Sequence, residues 1–393
     1  MKWKNKGHEF DELMERKLRI YSEGWGIYLF GAGIFGKQAY EQLAEFPFKI
    51  KGFIDNDISK QGTEYCGLPI ISLNQYWQER ECSIIVVTVA KKNAAGILYE
   101  FGKRQFECGR DYFIWQDFLD RVAPVLLVYQ YNKLHVPLAQ ICVTERCSLK
   151  CKKCAHGCYA TASSHEDLSI SEVMHSADSF FTRIDYIKVF VLIGGEPLLY
   201  KELEQAVAYI GEHYRKQIGL FEITTNGTIM PSDELLHVCK KYNVLILISN
   251  YGGTIPRLKE KYEMLISKLE EQGVSYYLGS ESDTWMDYGF EYVDRKAEEE
   301  QLIGVFDACA TPCKEVRGSR LYSCVMARSV SENLGYNVGE NDYLDLDRLE
   351  GSNWKKELLE FTFGYSEKGY LDMCNHCHGA DAKNHPIPAA EQL

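Results

Sequence analysis

The chain reads as α/β: two successive series of alternating strands and helices, followed by a cysteine-rich segment. Three observations predict this. An apolar strand, Gly26–Phe30, runs straight into a glycine-spaced turn, Gly31-Ala-Gly-Ile-Phe-Gly36, and then a helical stretch. From about residue 137 a second set of apolar strands alternates with helices. The 14 cysteines are unevenly spread, with one group after a strand at Cys147, Cys151, Cys154 and Cys158 and another at Cys309, Cys313, Cys324, Cys374 and Cys377. At roughly 100–200 residues per domain, 393 residues fit three domains, with boundaries read at 1–125, 137–300 and 301–393.

Composition narrows the function classes. With 46% hydrophobic and 13% aromatic residues the chain can bury a core, which excludes global disorder. Lys and Arg total 44 against 56 Asp and Glu, and a net charge of −12 argues against a sequence-independent nucleic-acid binder. The longest apolar runs, Ile84–Ala90 and Val189–Ile193, fall far short of a membrane span. The basic start, Met1–Lys6, is followed by His8-Glu-Phe-Asp-Glu12 where a signal peptide needs an apolar stretch. A cytoplasmic location is expected, where clustered cysteines point to metal or catalysis rather than to disulfides. The scattered Cys66, Cys82, Cys108, Cys142 and Cys239 read as buried packing residues.

Residues 1–20 read as an amphipathic helix. After Gly26–Phe30 and a helix over Lys37–Phe46 come strands at Lys49–Ile54 and Ser83–Ala90, and the alternation predicts a Rossmann-like parallel sheet to about residue 120. Gly31, Gly33 and Gly36 lie between strand and helix, where they permit a tight turn and bring backbone amides toward a phosphate. Asp55 closes the second strand, where a ribose-binding acid is expected. The run Tyr28–Asp57, followed by Cys66-Gly-Leu-Pro-Ile70, resembles the nucleotide-sugar-binding domain preceding some sugar acyltransferases, and domains of surface-polysaccharide enzymes. That resemblance implies a nucleotide or nucleotide sugar as ligand; a scaffold or dimerisation domain is the alternative.

In the second series, strands read at Leu138–Val143, Tyr186–Ile193, Leu220–Thr225, Val244–Ser249 and Val274–Leu278, with helices at about 170–183, 201–216, 232–242 and 257–272. Ser169-Ile-Ser-Glu172 predicts a capping box at the first helix. Beyond residue 300 the pattern is irregular, and residues from Gly379 onward read as a loose tail. The strand ends carry chemistry. The first is followed by Cys147-Ser-Leu-Lys-Cys151-Lys-Lys-Cys154, the second by Gly194-Gly-Glu-Pro197, the third by Thr225-Asn-Gly-Thr228 and the fourth by Asn250-Tyr-Gly-Gly253. Three close thiolates suit a soft metal: structural zinc completed by His156 or Cys158, or a four-iron cluster with one open iron. Motifs on four successive strand ends describe the active-site rim of a (β/α) barrel.

On these motifs the chain resembles the radical S-adenosylmethionine (SAM) superfamily over roughly residues 137–300. The resemblance implies a partial (β/α)6 barrel in which Cys147, Cys151 and Cys154 hold a [4Fe–4S] cluster. It places Gly194, Gly195, Glu196 and Pro197 at the motif for the SAM amino group, and Thr225, Asn226 and Asn250 where ribose and carboxylate are contacted. The activity implied is reductive cleavage of SAM to a 5′-deoxyadenosyl radical that takes hydrogen from a substrate, with a flavodoxin or ferredoxin as reductant. One departure is Lys153, where the family usually has an aromatic residue before the third cysteine. Tyr251 and His156 lie near the motifs.

The second cysteine group offers Cys309, Cys313, Cys324, Cys374 and Cys377. Paired cysteines of this kind suit structural zinc; beside a radical SAM core they resemble a small twitch/SPASM-like domain, which implies a second, auxiliary [4Fe–4S] cluster. Cys309 and Cys313 compete for the fourth place. The combination suggests a radical SAM oxidoreductase or isomerase acting on a small molecule, a nucleotide-linked sugar or polyol, by oxidation, epimerisation or elimination. The alternatives are a maturase of a ribosomal peptide and a nucleotide-sensing zinc protein.

Overall fold

A computed structural model describes residues 25–393 except 80–81, 163–166, 310–312, 338 and 364–367. The helix expected over residues 1–20 lies outside the described residues. Two compact units divide at Asn132 and Lys133.

The first unit holds strands β1 (Gly26–Phe30), β2 (Ile50–Ile54), β3 (Glu64–Tyr65), β4 (Leu68–Ile71), β5 (Ser83–Val87) and β6 (Tyr112–Ile114) in the order β3-β4-β2-β1-β5-β6. All pairings are parallel except β3 with β4. Helices α1 (Ile34–Ala44), α2 (Leu73–Glu79), α3 (Lys91–Lys103) and α4 (Ala123–Tyr131) connect or follow them. Alternate residues of one strand face opposite ways. Ile27 and Leu29 accordingly join one apolar cluster with Phe53 and Val86, while Phe30 joins another with Ile54, Ile85 and Val87. Burial on both faces is why these strands read as unbroken apolar runs. The strand order reverses at β1, so the glycine turn that follows it sits at the switch point of the sheet.

In the second unit β7 (His135–Thr144), β8 (Tyr186–Gly194), β9 (Ile218–Thr225), β10 (Val244–Ile248) and β11 (Tyr276–Leu278) are parallel and adjacent in chain order. Helices α5 (Ile170–Phe181), α6 (Leu203–Tyr214), α7 (Asp233–Lys241) and α8 (Leu258–Gln272) alternate with them. The expected capping box is present: Ser169 Oγ accepts from the Glu172 amide, and the Glu172 carboxylate accepts from the Ser169 amide at 2.8 Å.

Beyond residue 280 the chain is more regular than the sequence pattern suggests. After β12 (Thr284–Met286) and α9 (Glu299–Ala308), β13 (Lys314–Arg317) joins the sheet parallel to β7, followed by the antiparallel β14 (Arg320–Tyr322) and β15 (Tyr343–Asp345). Helices α10 (Val325–Leu334) and α11 (Trp354–Thr362) intervene and follow. The residues after Gly379 are not a loose tail: β16 (Pro386–Pro388) pairs with β12. Its two prolines sit on a two-stranded edge, where a missing N–H is tolerated. Short strands held by partners a hundred residues away leave little local period. No helix among the described residues is long and apolar enough to cross a membrane.

The sheet extension around β7 is tied by a buried charge. Arg328, on α10, is fully buried and pairs with Glu315 of β13 and with Glu145, which directly follows β7. Its Nη1 donates to Glu145 Oε1 at 2.6 Å and to Glu332 at 3.0 Å, and its Nη2 donates to Ser329 Oγ at 2.6 Å. Burial pushes Glu315 up to about 7 although Arg328 pulls it back. For Glu145 the push of burial is outweighed by Arg328, His156 and Asn333, so it stays below its usual range. Removing one partner of a buried pair strands the others' charge, which costs about 3–5 kcal/mol. We therefore expect Arg328→Ala to lower the unfolding free energy of the second unit by about that amount, measured by urea unfolding; a loss below about 1 kcal/mol would instead match an exposed pair.

Candidate functional site

The ends of β7, β8 and β9 are stitched together by backbone. The Gly195 amide donates to Thr144 O at 2.8 Å, and the Glu196 amide donates to Arg146 O at 2.9 Å. Glycine is required there by proximity rather than by φ: a Cβ on Gly194 would lie 2.5 Å from Thr144 O, and one on Gly195 2.4 Å from Arg146 O. Glu196 is fully buried. One carboxylate oxygen accepts from Leu198 N at 3.0 Å and from Thr225 Oγ1 at 2.7 Å, the other from Asn226 N at 2.8 Å. Burial raises its pKa, and these three donors recover part of the shift. Pro197 then opens a single 3-10 turn.

Asn226 reaches across to the cysteine loop. Its Nδ2 donates to Cys147 Sγ at 3.5 Å and to Ser148 Oγ at 3.2 Å. Thr225, Asn226, Glu196 and Cys147 are thus in one contact chain. Asn250 follows the next strand and is engaged locally, donating to Gly279 O at 3.0 Å and accepting from Gly252 N at 3.0 Å. Tyr262 joins these two strand ends: its hydroxyl lies within hydrogen-bond distance of Ser249 O (3.1 Å) and Asn226 O (3.4 Å) and accepts from Tyr251 N at 3.1 Å. Tyr251 stands edge-on to Trp285, and burial pushes its hydroxyl above the usual tyrosine range.

The thiols differ in setting. Burial pushes Cys147 up to about 11 and Cys151 up to about 12, eased by N–H donors, Leu149 N for the first and Gln392 Nε2 for the second. Cys154 is drawn below its usual value, first by the thiol of Cys158 and, against burial, by His156. Cys158 is buried and acts as that donor. His156 places Nδ1 3.2 Å from Ser329 Oγ, within the Arg328 network. Lys153 adopts a left-handed backbone (φ 58°). Its ammonium pairs with Glu291 and lies 3.7 Å from Asp287 and 4.7 Å from the Tyr292 ring centre.

Four cysteines of the second group, Cys313, Cys324, Cys374 and Cys377, pack in an apolar cluster with Phe290, Leu302, Phe306, Val325 and Met326. Burial first, then mutual repulsion, pushes Cys324 up to about 11 and Cys374 and Cys377 up to about 12; Cys309 contributes to all three. Cys309, Cys324, Cys374 and Cys377 therefore lie within electrostatic reach of one another. Cys313, pushed up by burial and eased by Lys314, packs in the same apolar cluster and acts on Tyr288 together with Cys309, Cys324 and Cys377. Gly379 N donates to Cys377 Sγ at 3.2 Å.

The first group suits a cluster more than a single ion. Among the described residues, the potential ligand atoms that gather within 4.8 Å of one another in threes are those of His378, Asp381 and His385, not the thiols. Zinc at about 2.3 Å from each sulfur needs its sulfurs within about 4.6 Å. Wider-set thiols, shielded from water and met by N–H donors, fit an iron–sulfur cluster. The scattered cysteines divide: Cys142 and Cys239 are buried as expected, Cys66 is half-buried, and Cys82 and Cys108 are exposed, contrary to the packing role read for them.

In the first unit, Gly31 has φ 118°, and a Cβ on Gly36 would lie 1.9 Å from Gly31 O, so α1 presses on the turn. Gly33 caps α1 with open space around it. Asp55 braces this turn, with Oδ2 accepting from Ala32 N at 2.9 Å and from Lys60 Nζ at 3.1 Å, and Oδ1 accepting from Asp57 N at 2.9 Å.

Sequence reasoning missed Gln392, which touches the cysteine loop, and the Arg328, Glu145 and Glu315 trio. Glu145 had a faint signal, an acid directly after an apolar strand; Glu315, Arg328 and Gln392 had none. The glycine contacts make a direct test. Gly195→Ala and Gly36→Ala drive Cβ into backbone and are expected to destabilise by about 1–3 kcal/mol. Gly33→Ala should stay within about 1 kcal/mol. Thermal unfolding of the three variants checks this, and equal shifts would remove the close approaches as the reason for glycine.

Comparison with known proteins gives a family for this region. Residues 141–266 match the family model described as the Radical SAM superfamily. A search of curated proteins finds no match. Among solved structures, "Crystal structure of BtrN in complex with AdoMet and 2-DOIA" is similar at 15% identity over 66% of this chain and 97% of that one, with a TM-score of 0.40. Native anSMEcpe with bound AdoMet and Cp18Cys peptide is similar at 13% identity over 66% and 92%, with a TM-score of 0.39. SuiB of Streptococcus suis bound to precursor peptide SuiA reaches 14% over 55% and 49%, with a TM-score of 0.31. The cysteine loop and the strand ends around it, residues 141–266, are thus a radical SAM domain.

Proposed function

We propose that the chain is a radical SAM enzyme acting on a small molecule, a sugar or polyol carried on a nucleotide. The observation that carries the first part is the contact chain from Glu196 through Thr225 and Asn226 to Cys147, which gathers three strand-end motifs around one thiol. Cys147, Cys151 and Cys154 would hold a [4Fe–4S] cluster. The Gly194–Pro197 segment, with Thr225, Asn226 and Asn250, would hold SAM. When bound, a reduced cluster and SAM supply a 5′-deoxyadenosyl radical able to take hydrogen from an unactivated C–H bond.

The chain's own residues have a positioning task. Glu196, with both oxygens occupied, fixes the turn after β8 against β9, so the backbone of Gly194 and Gly195 stays in register with the cysteine loop. Cys158 donates to Cys154 and favours its thiolate, the form that binds iron. In the region beyond residue 300 we assign an auxiliary cluster to Cys324, Cys374 and Cys377, with Cys309 or Cys313 as its fourth ligand. The nucleotide part of the reading is supported by the parallel first unit with Gly31, Gly33 and Gly36 at its switch point. Asp55 acts there through the shape of the turn, since its oxygens already hold Ala32, Asp57 and Lys60.

Anaerobic reconstitution should load about eight irons per chain, as two four-iron clusters. Cys151→Ala and Cys374→Ala should each retain about four. Dithionite or reduced flavodoxin with SAM should then yield 5′-deoxyadenosine, abolished in Cys151→Ala and retained as substrate-uncoupled turnover in Cys374→Ala. Transfer of deuterium from one of a panel of labelled nucleotide sugars into 5′-deoxyadenosine would identify the substrate class. Zinc without iron, or deuterium transfer from a precursor peptide alone, would overturn the reading.

A further inference from the structure

The segment Ala389–Leu393 runs beside the cysteine loop. Cys151 and Gln392 form an antiparallel bridge. Lys152 N donates to Glu391 O at 2.6 Å, and Leu393 N donates to Lys150 O at 2.8 Å. An ion pair of 2.7 Å between Lys152 and Glu391 lies alongside. The segment is anchored upstream, because β16 pairs with β12 and Ala389 and Ala390 are buried. Ala390 takes a left-handed backbone (φ 56°), an unfavourable choice for a residue with a Cβ. That bend turns the chain from β16 onto the loop.

The Gln392 side chain is held at three points. Its Oε1 accepts from Lys150 N at 3.0 Å, while Nε2 donates to Ala390 O at 2.7 Å and to Cys151 Sγ at 3.1 Å. This network fixes the orientation of the amide, since only the oxygen can meet the Lys150 N–H and only the nitrogen can meet a carbonyl. Cys151 is a buried thiol, and this carboxamide places an N–H on its sulfur.

We propose that residues 389–393 form a strap that closes the loop around Cys151, and that Gln392 is a positioning residue whose N–H···S bond raises the reduction potential of the cluster held by Cys147, Cys151 and Cys154. The inference rests on the cluster assignment made above. A donor to a ligating sulfur stabilises the added negative charge of the reduced state, and shielding from water by the strap keeps that interaction strong. Gln392→Glu retains an acceptor for Lys150 N, removes the N–H and places negative charge beside the sulfur. Gln392→Leu removes both polar functions.

The test is an EPR-monitored redox titration of the reconstituted full chain, following the signal that changes when SAM is added. A tenfold bias against the reduced state corresponds to about 59 mV for one electron. Gln392→Leu should lower the potential by a shift of that order, and Gln392→Glu by more. Hydrogen exchange should quicken at the amides of Lys150 and Lys152 when residues 391–393 are removed. If either variant fails to keep this cluster while retaining the iron of the auxiliary one, the strap is supported by that loss. Unchanged potentials in both variants, with wild-type exchange in the truncated chain, overturn the proposal. Absence of any SAM-responsive signal in the wild type would instead overturn the cluster assignment, which separates the two failures.

Discussion

A guanidinium with no exposed surface has to be met by charge on every side, and Arg328 organises the second unit for that reason. Its partners come from three separate stretches: Glu145 just before the cysteine loop, Glu315 in β13, and Glu332 one turn further along α10. Because β13 pairs with β7, the same interaction keeps the sheet extension and the start of the loop in register. Asn333 extends it, donating to Glu145 Oε2 at 3.1 Å and to the His156 carbonyl at 2.9 Å. The loop thus begins and turns on one buried polar network. Any displacement of α10 would leave carboxylates buried without partners, so the loop inherits the rigidity of the core.

The start of the loop is held by steric fit as well. Gly194 and Gly195 let β8 end against Thr144 and Arg146 at distances no side chain permits. Glu196 then spans to β9, and Asn226 spans back to Cys147. A charged network and backbone contact together suit a site whose chemistry depends on placement within a fraction of an ångström.

Much of this was legible in the sequence, and the reason is physical. Parallel strands buried on both faces carry unbroken apolar runs, so β1, β5 and β7–β10 stand out, and the polar motifs at their carboxyl ends follow from where each run stops. Gly195 and Gly36 were visible as motif glycines, although only the structure shows that a carbonyl oxygen is what excludes a side chain. What could not be read depends on partners far away in sequence. Gln392 meets Cys151 across 241 positions, and Arg328 meets Glu145 across 183. Asp55, at the position where a ribose-binding acid is expected, also accepts from Ala32, Asp57 and Lys60, because a strand-end acid is the nearest acceptor for a glycine turn. Residues after Gly379 looked loose because prolines and low apolar content are the local signature of a tail. Backbone pairing to β12 and to the cysteine loop leaves no such signature.

The region beyond residue 280 is therefore part of the wall around the first cysteine group as well as the seat of the second. Lys153 shows this most directly. With φ at 58° its side chain leaves the loop toward Glu291, Asp287 and the Tyr292 ring, so the position before Cys154 serves as a tether. Tyr159 donates to the same Glu291, closing the tether from the far side of Cys154. Together with Gln392 on Cys151 and Asn333 behind His156, these contacts reach the loop from segments near 290, 333 and 392. A loop of three thiols separated by lysines has little apolar surface of its own to order it. Its order has to be imposed by neighbours, and most of those neighbours belong to the stretch that carries the other cysteines. Loss of the second cysteine group's packing would thus loosen the first, even though no cysteine is shared between them.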